Sequence, residues 1–168
     1  MAWLYIANLA FAILAAVTPV AHLLELPNKF SLDAPVWLAV QQELYRGWGP
    51  FIGGPAEIGA LLSSAAAAFV HRRHGQVFWT ILIACIGYAG MIAVFFVLNR
   101  PVNDAVSSWT PSTLPADWPS YRIRWETGHA VAALLAMISL AAVVWSGRRA
   151  NGAADKRDHR SRGPGARP

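Results

Sequence analysis

The sequence predicts an all-α fold: a four-helix transmembrane bundle with an extracytoplasmic loop cap. Three observations carry this. Hydrophobic residues make up 55% of the chain and charged residues only 14%, against the roughly 25% charge of a soluble domain. Mean hydropathy is +0.37. Four separate stretches supply the ~20 mostly apolar residues that a helix needs to cross the hydrocarbon. A surface so poor in charge suits lipid, so the lipid bilayer is the expected solvent and partner. The 168 residues make about one domain.

The first span is expected at about 2–24. No basic residue precedes its apolar run, which is also too long for the core of a signal peptide, so it is read as an uncleaved helix. The second is expected at about 51–70, the third at about 77–98 and the fourth at about 121–145. The fourth opens polar, with Tyr121-Arg122-Ile123-Arg124-Trp125-Glu126, and then turns apolar. Residues 1–147 therefore form the membrane domain. The tail, 148–168, is basic, contains Gly and Pro, and is expected to be disordered and cytoplasmic. Between the first two spans, residues 25–50 carry apolar positions at helical spacing and predict a short interfacial helix. Residues 99–120 are rich in Pro, Ser, Thr, Asp and Trp and predict a turn-laden cap. Trp109 and Trp118 there suit interfacial anchoring, or stacking on an aromatic ligand.

Charge fixes a direction. Arg72 and Arg73 between spans two and three, with the basic tail, place nine Lys and Arg on one side, against five on the other. The positive-inside rule then puts both termini in the cytoplasm and both long loops outside a cell (inner) membrane. The net charge of +5 sits mostly beside the last span, where it favours anionic headgroups; no nucleic-acid partner is expected. The lone Cys85 excludes an intramolecular disulfide and reads as a packing residue. His71 and His74 read as headgroup contacts. Oligomeric state is not encoded in any feature of the sequence.

An ionisable group in a membrane helix costs on the order of 3 kcal/mol at mid-bilayer, so each needs a reason. Four stand out: His22 and Glu25 at the end of the first span, Glu57 in the second and His129 in the fourth. Antiparallel connectivity brings them to one depth in the outer half. His22 and Glu25 are three apart and share a face, as do Arg122, Trp125 or Glu126, and His129. On the third span Tyr88, Phe95 and Asn99 are expected on another single face. Two imidazoles and two carboxylates in a four-helix bundle partly match a carboxylate-bridged metal site, with His22, Glu57 and His129 the candidate ligands. Two cofactor readings stay open: none, or a single transition metal. The competing reading makes Glu57 interhelical glue, paired with His22, His129 or Arg122.

At the third and fourth spans the order Asn99-Arg100-Pro101-Val102-Asn103, a Pro- and Trp-containing loop, then Trp125-Glu126-Thr127-Gly128-His129 resembles the DUF1772, or anthrone oxygenase-like, family of small four-span membrane proteins. The detailed similarity covers about 99–133. The resemblance implies a four-helix membrane bundle, and in some fungal members oxidation of anthrones to anthraquinones with molecular oxygen. Asn99, Asn103, Trp125 and His129 would be its motif residues. Ala132 stands where relatives often have Arg.

Two functions are therefore carried forward. One is an oxidoreductase, or oxygenase, acting on a hydrophobic aromatic small molecule. His129 or His22 would remove an acidic C–H proton, Asn99 or Arg122 would stabilise an oxyanion, and Trp125, Asn103 and Tyr88 would help bind the rings. The other is a non-catalytic binding or accessory protein whose polar cluster is structural.

Overall fold

The structure is a computed structural model that describes residues 2–161, with side chains described for residues 2–150. In chain order its helices are α1 (Ala2–Leu24), α2 (Leu26–Phe30), α3 (Ala34–Ala39), α4 (Gly54–Val70), α5 (Gly75–Val94), α6 (Arg100–Val106) and α7 (Trp118–Ser161). The four long ones form a ring in which α1 and α5 each pack on both α4 and α7. The segments Ala2–Leu24, Ala34–Val70, Gly75–Val106 and Trp118–Ala150 are long and apolar enough to cross a membrane. Large apolar side chains such as Trp3, Phe69 and Leu134 lie exposed on the bundle's outside. This is an integral membrane protein.

Lipid tails are as apolar as leucine, so membrane helices associate by close packing and buried polar links. The bundle core is accordingly built on Ala12, Ala15, Ala60, Ala84, Ala132 and Ala136, with Tyr88 and Met91 filling the centre. At Gly87 a Cβ would run into the Ser139 hydroxyl, so glycine sets the approach of α5 to α7. Asn8 of α1 accepts hydrogen bonds from the hydroxyls of Ser63 and Ser64 of α4, at 3.2 and 2.9 Å. That neutral link holds the half of the bundle nearer the 71–74 turn. At the turn itself Arg72 and Arg73 are exposed. Burial and the neighbouring His74 lower the pKa of His71 from its ordinary value.

The other end is more elaborate than the predicted interfacial helix and turns. Asp33 caps α3 by accepting from the Val36 amide. A π-helical turn (Val40–Leu44) follows, and a second (Gly49–Gly53) leads into α4; a third (Phe95–Asn99) joins α5 to α6. The two long loops fold onto each other as a second hydrophobic core of Trp37, Leu38, Val102, Val106 and Trp125. The Gln42 amide ties them together, donating to the carbonyls of Val106 and Trp109 at 2.8 and 2.9 Å. Trp118 packs on the fully buried Trp37, ring centroids 5.3 Å apart, and Trp109 packs edge-on to Tyr121. Trp118 is thus a packing residue of a folded cap, because each loop offers the other an apolar surface, while Trp109 packs there and also lines the cavity beneath it.

α7 continues to Ser161, past the span end expected near Trp145 and into the segment expected to be disordered. Arg148, Arg149 and Ala150 are good helix formers and extend it. The remainder of that tail, 162–168, lies outside the described residues.

Candidate functional site

Where the cap meets the bundle, the chain forms an open-mouthed cavity of about 890 Å3. Its walls come from the end of α1 (Thr18, His22), the 41–54 segment (Tyr45, Trp48, Gly53), α4 (Glu57, Ile58), the end of α5 (Ile92, Phe95, Phe96) and α7 (Trp125, His129). The volume falls within the roughly 300–1,000 Å3 of small-molecule sites, and aromatic walls with a few convergent polar groups are their usual form.

The centre of the site is a pair of imidazoles. His22 and His129 have ring centroids 4.2 Å apart, and Trp125 lies edge-on to both, at 4.8 and 4.1 Å. Tyr45 stacks on Trp125 at 5.6 Å and meets His22 edge-on at 4.6 Å. The i, i+4 spacing of Trp125 and His129 puts both on the inner face of α7, and the antiparallel return of α1 delivers His22 to the same depth. The predicted convergence of His22 and His129 is found.

Trp125 is fixed from two sides. The Asn99 amide donates to its carbonyl at 2.9 Å, and its indole N–H donates to Asn103 Oδ1 at 2.8 Å. Asn99 reaches that far because Gly128 presents no Cβ; any added there would collide with the Asn99 amide. The indole bond fixes which end of the Asn103 amide is oxygen. The Nδ2 donor of Asn103, on the cavity wall, is left for a ligand.

Other expected residues take different places. Glu57 lines the cavity, and among the described residues it forms no hydrogen bond or ion pair with His22, His129 or Arg122, so it is not the interhelical glue. Arg122 is committed to the cap, donating to the backbone carbonyls of Lys29 and Leu32 at 3.3 and 3.2 Å and lying over the Trp118 ring at 4.6 Å. Tyr88 is fully buried in the bundle core and does not line the cavity. Asn99 acts on Trp125 instead of facing a ligand. Among the described residues no three His, Cys, Asp or Glu side chains form a ligand cluster for a metal; His22, Glu57 and His129 share the cavity without making one.

An electrostatic network stands behind the imidazoles, and most of it escapes a reading of the sequence. Lys29, which looks like a loop charge, is buried with its ammonium 2.8 Å from Glu126 and 4.9 Å from the Trp125 ring centroid. Glu25 accepts the Tyr45 hydroxyl at 2.6 Å, and the same oxygen lies 3.5 Å from His22 Nδ1 and 3.9 Å from Lys29 Nζ. The available signal is spacing: 22, 25 and 29 recur at i, i+3 and i+7, continuing one helical face past Leu24.

A sequence model of the anthrone oxygenase family matches residues 42–149. No curated protein and no solved structure matches the chain. The matched segment contains Tyr45, Trp48, Glu57, Asn99, Asn103, Trp125 and His129, and ends where the fourth span does. With more than half of its length matched, and with the motif residues gathered at one cavity of a four-helix membrane bundle, the chain belongs to the anthrone oxygenase family.

Proposed function

We propose that the protein is an oxygenase that converts a hydrophobic, anthrone-like aromatic substrate to a quinone with molecular oxygen. The observation that carries this is the imidazole pair, 4.2 Å between centroids, set in the wall of an aromatic-lined cavity. An anthrone has an acidic CH2 opposite its carbonyl. An uncharged imidazole is suited to take one of those protons. The carbanion is oxidised as oxygen adds to that carbon, and the terminal peroxide oxygen takes the proton back from the imidazolium. Loss of the second C–H proton with cleavage of the O–O bond forms the new C=O and releases water. Anthrone and O2 thus give anthraquinone and water, with no net proton. Tyr45, Trp48 and Trp125 wall the rings. Asn103 Nδ2 is the donor for the oxyanion that develops on the carbonyl oxygen, the role that Asn99 and Arg122 cannot fill from their positions.

We further propose that the site end faces outward from a cell (inner) membrane, with both termini cytoplasmic, on the strength of the nine-to-five bias of basic residues.

The test is oxygen uptake and anthraquinone absorbance with anthrone and the purified protein in nanodiscs. Of His129→Ala and His22→Ala, whichever removes the base is expected to lose about 100-fold or more in rate, the usual worth of a positioned base, while remaining folded. A wild-type protein no faster than empty nanodiscs overturns the catalytic reading and leaves a binding protein. Dialysis against a chelator is expected to leave the rate unchanged; a loss restored by one metal ion would favour the metal-dependent reading.

A further inference from the structure

The two imidazoles of the site are not equivalent. Nδ1 of His22 is buried and has no hydrogen-bond partner. It lies 3.5 Å from Glu25 Oε2, at ion-pair distance but about 0.5 Å beyond a formed N–H···O bond. Such contacts are commonly long until substrate binds. With Nδ1 turned to the carboxylate, Nε2 is the nitrogen presented to the cavity that His22 lines. His129 has no carboxylate within ion-pair distance among the described residues; Glu126, one turn before it, is taken by Lys29.

We propose that Glu25 is a positioning residue that holds His22 as its Nδ1–H tautomer, making His22 Nε2, not His129, the base that takes the substrate's C–H proton. This rests on the oxygenase reading above. The proton passes from carbon to Nε2, and the resulting imidazolium faces the Glu25 carboxylate until it returns the proton to the peroxide oxygen. The carboxylate is itself held in place. The Tyr45 hydroxyl donates to the oxygen that faces His22, at 2.6 Å. Lys29 stands 3.9 Å from the same atom while gripping Glu126 of α7. The orientation of His22 is thus tied to three other segments of the chain. A carboxylate on the far nitrogen of a catalytic histidine has two known effects: it selects the tautomer and it stabilises the cation that forms.

The experiment uses the full chain with 15N-labelled histidine in nanodiscs. Long-range 1H–15N spectra report the tautomer of each of the five histidines, and the His22 signals are those lost in His22→Asn. Anthrone turnover is measured alongside. The expected result is His22 protonated on Nδ1 in the wild type and in Glu25→Asp, and on Nε2 or mixed in Glu25→Leu. Glu25→Leu should lower kcat by about 30-fold or more with KM within about twofold, and Glu25→Asp should recover most of that. If the carboxylate only held the cap together, Glu25→Leu would lower thermal stability and leave His22 protonated on Nδ1, and that outcome overturns the proposal. So does a wild-type His22 protonated on Nε2. If the wild type never oxidises anthrone but His22 loses its Nδ1 proton in Glu25→Leu, the oxygenase reading fails while the Glu25–His22 assignment stands.

Discussion

Lys29 has 3% of its surface exposed, and its ammonium meets Glu126 across the gap between α2 and α7. Removing both charges from water costs several kcal/mol per ion, so such a pair adds little to stability overall. Breaking it is another matter, because the remaining charge is stranded. Lys29→Met is expected to lower unfolding stability by about 3–5 kcal/mol, read from denaturant or thermal unfolding in detergent. Lys29→Met combined with Glu126→Leu is expected to regain most of that loss. Two single variants as stable as the double would show that water still reaches the pair. Gly128 works at the same scale through what it lacks. Gly128→Val would push Asn99 away and release the carbonyl of Trp125. We expect normal membrane insertion and a rate about 10-fold lower or less, since misplacing a group by about 1 Å costs up to 100-fold.

The π-helical turns explain where helical periodicity misleads. Tyr88, Phe95 and Asn99 are spaced i, i+7 and i+11, a single face on a regular helix. Tyr88 reaches the bundle core and Phe95 the cavity wall, two depths of one face; the turn at Phe95–Asn99 holds an extra residue, so Asn99 is rotated off that face and meets α7. A π turn also loosens the backbone ladder, and Arg124 donates to the carbonyl of Val97 there at 2.6 Å. Such turns sit at functional sites more often than elsewhere. Nothing in the residues Phe95-Phe96-Val97-Leu98-Asn99 distinguishes them from an α-helical run, which is why the register change was invisible before the structure. Inserting one alanine between Val102 and Asn103 should turn the rest of α6 by about 100°, separating Asn103 from the indole of Trp125. The expected result is unchanged helicity by circular dichroism with ligand binding and turnover lost. Retained binding would mean that α6 re-registers on its own.

At the scale of the molecule, what lipid selects for was legible and what the chain does beyond it was not. Hydrophobic length marked all four helices, and antiparallel connectivity sufficed to bring His22 and His129 to one depth. The cap was hidden because tryptophans buried between two loops have the composition of tryptophans lying at a headgroup interface, and because Lys29 beside Pro27 in a loop looks like any solvated lysine. The same asymmetry of charge leads to the last prediction. Arg72 and Arg73 lie at the tight turn and Arg148 and Arg149 near the end of the fourth span, all at the end of the bundle opposite the cavity. Burial and His74 disfavour charge on His71, and Arg72 and Arg73 are the turn's fixed charges. Moving them across the bilayer is disfavoured, so the cavity should face away from the cytoplasm. In a Cys85→Ala background, Ser112→Cys in the cap loop is expected to react with an impermeant maleimide in intact cells, and Arg73→Cys only after permeabilisation. The opposite pattern would keep the four-span bundle and the cavity but hand the site to the cytoplasm, where substrate and oxygen would have to arrive from the inner leaflet.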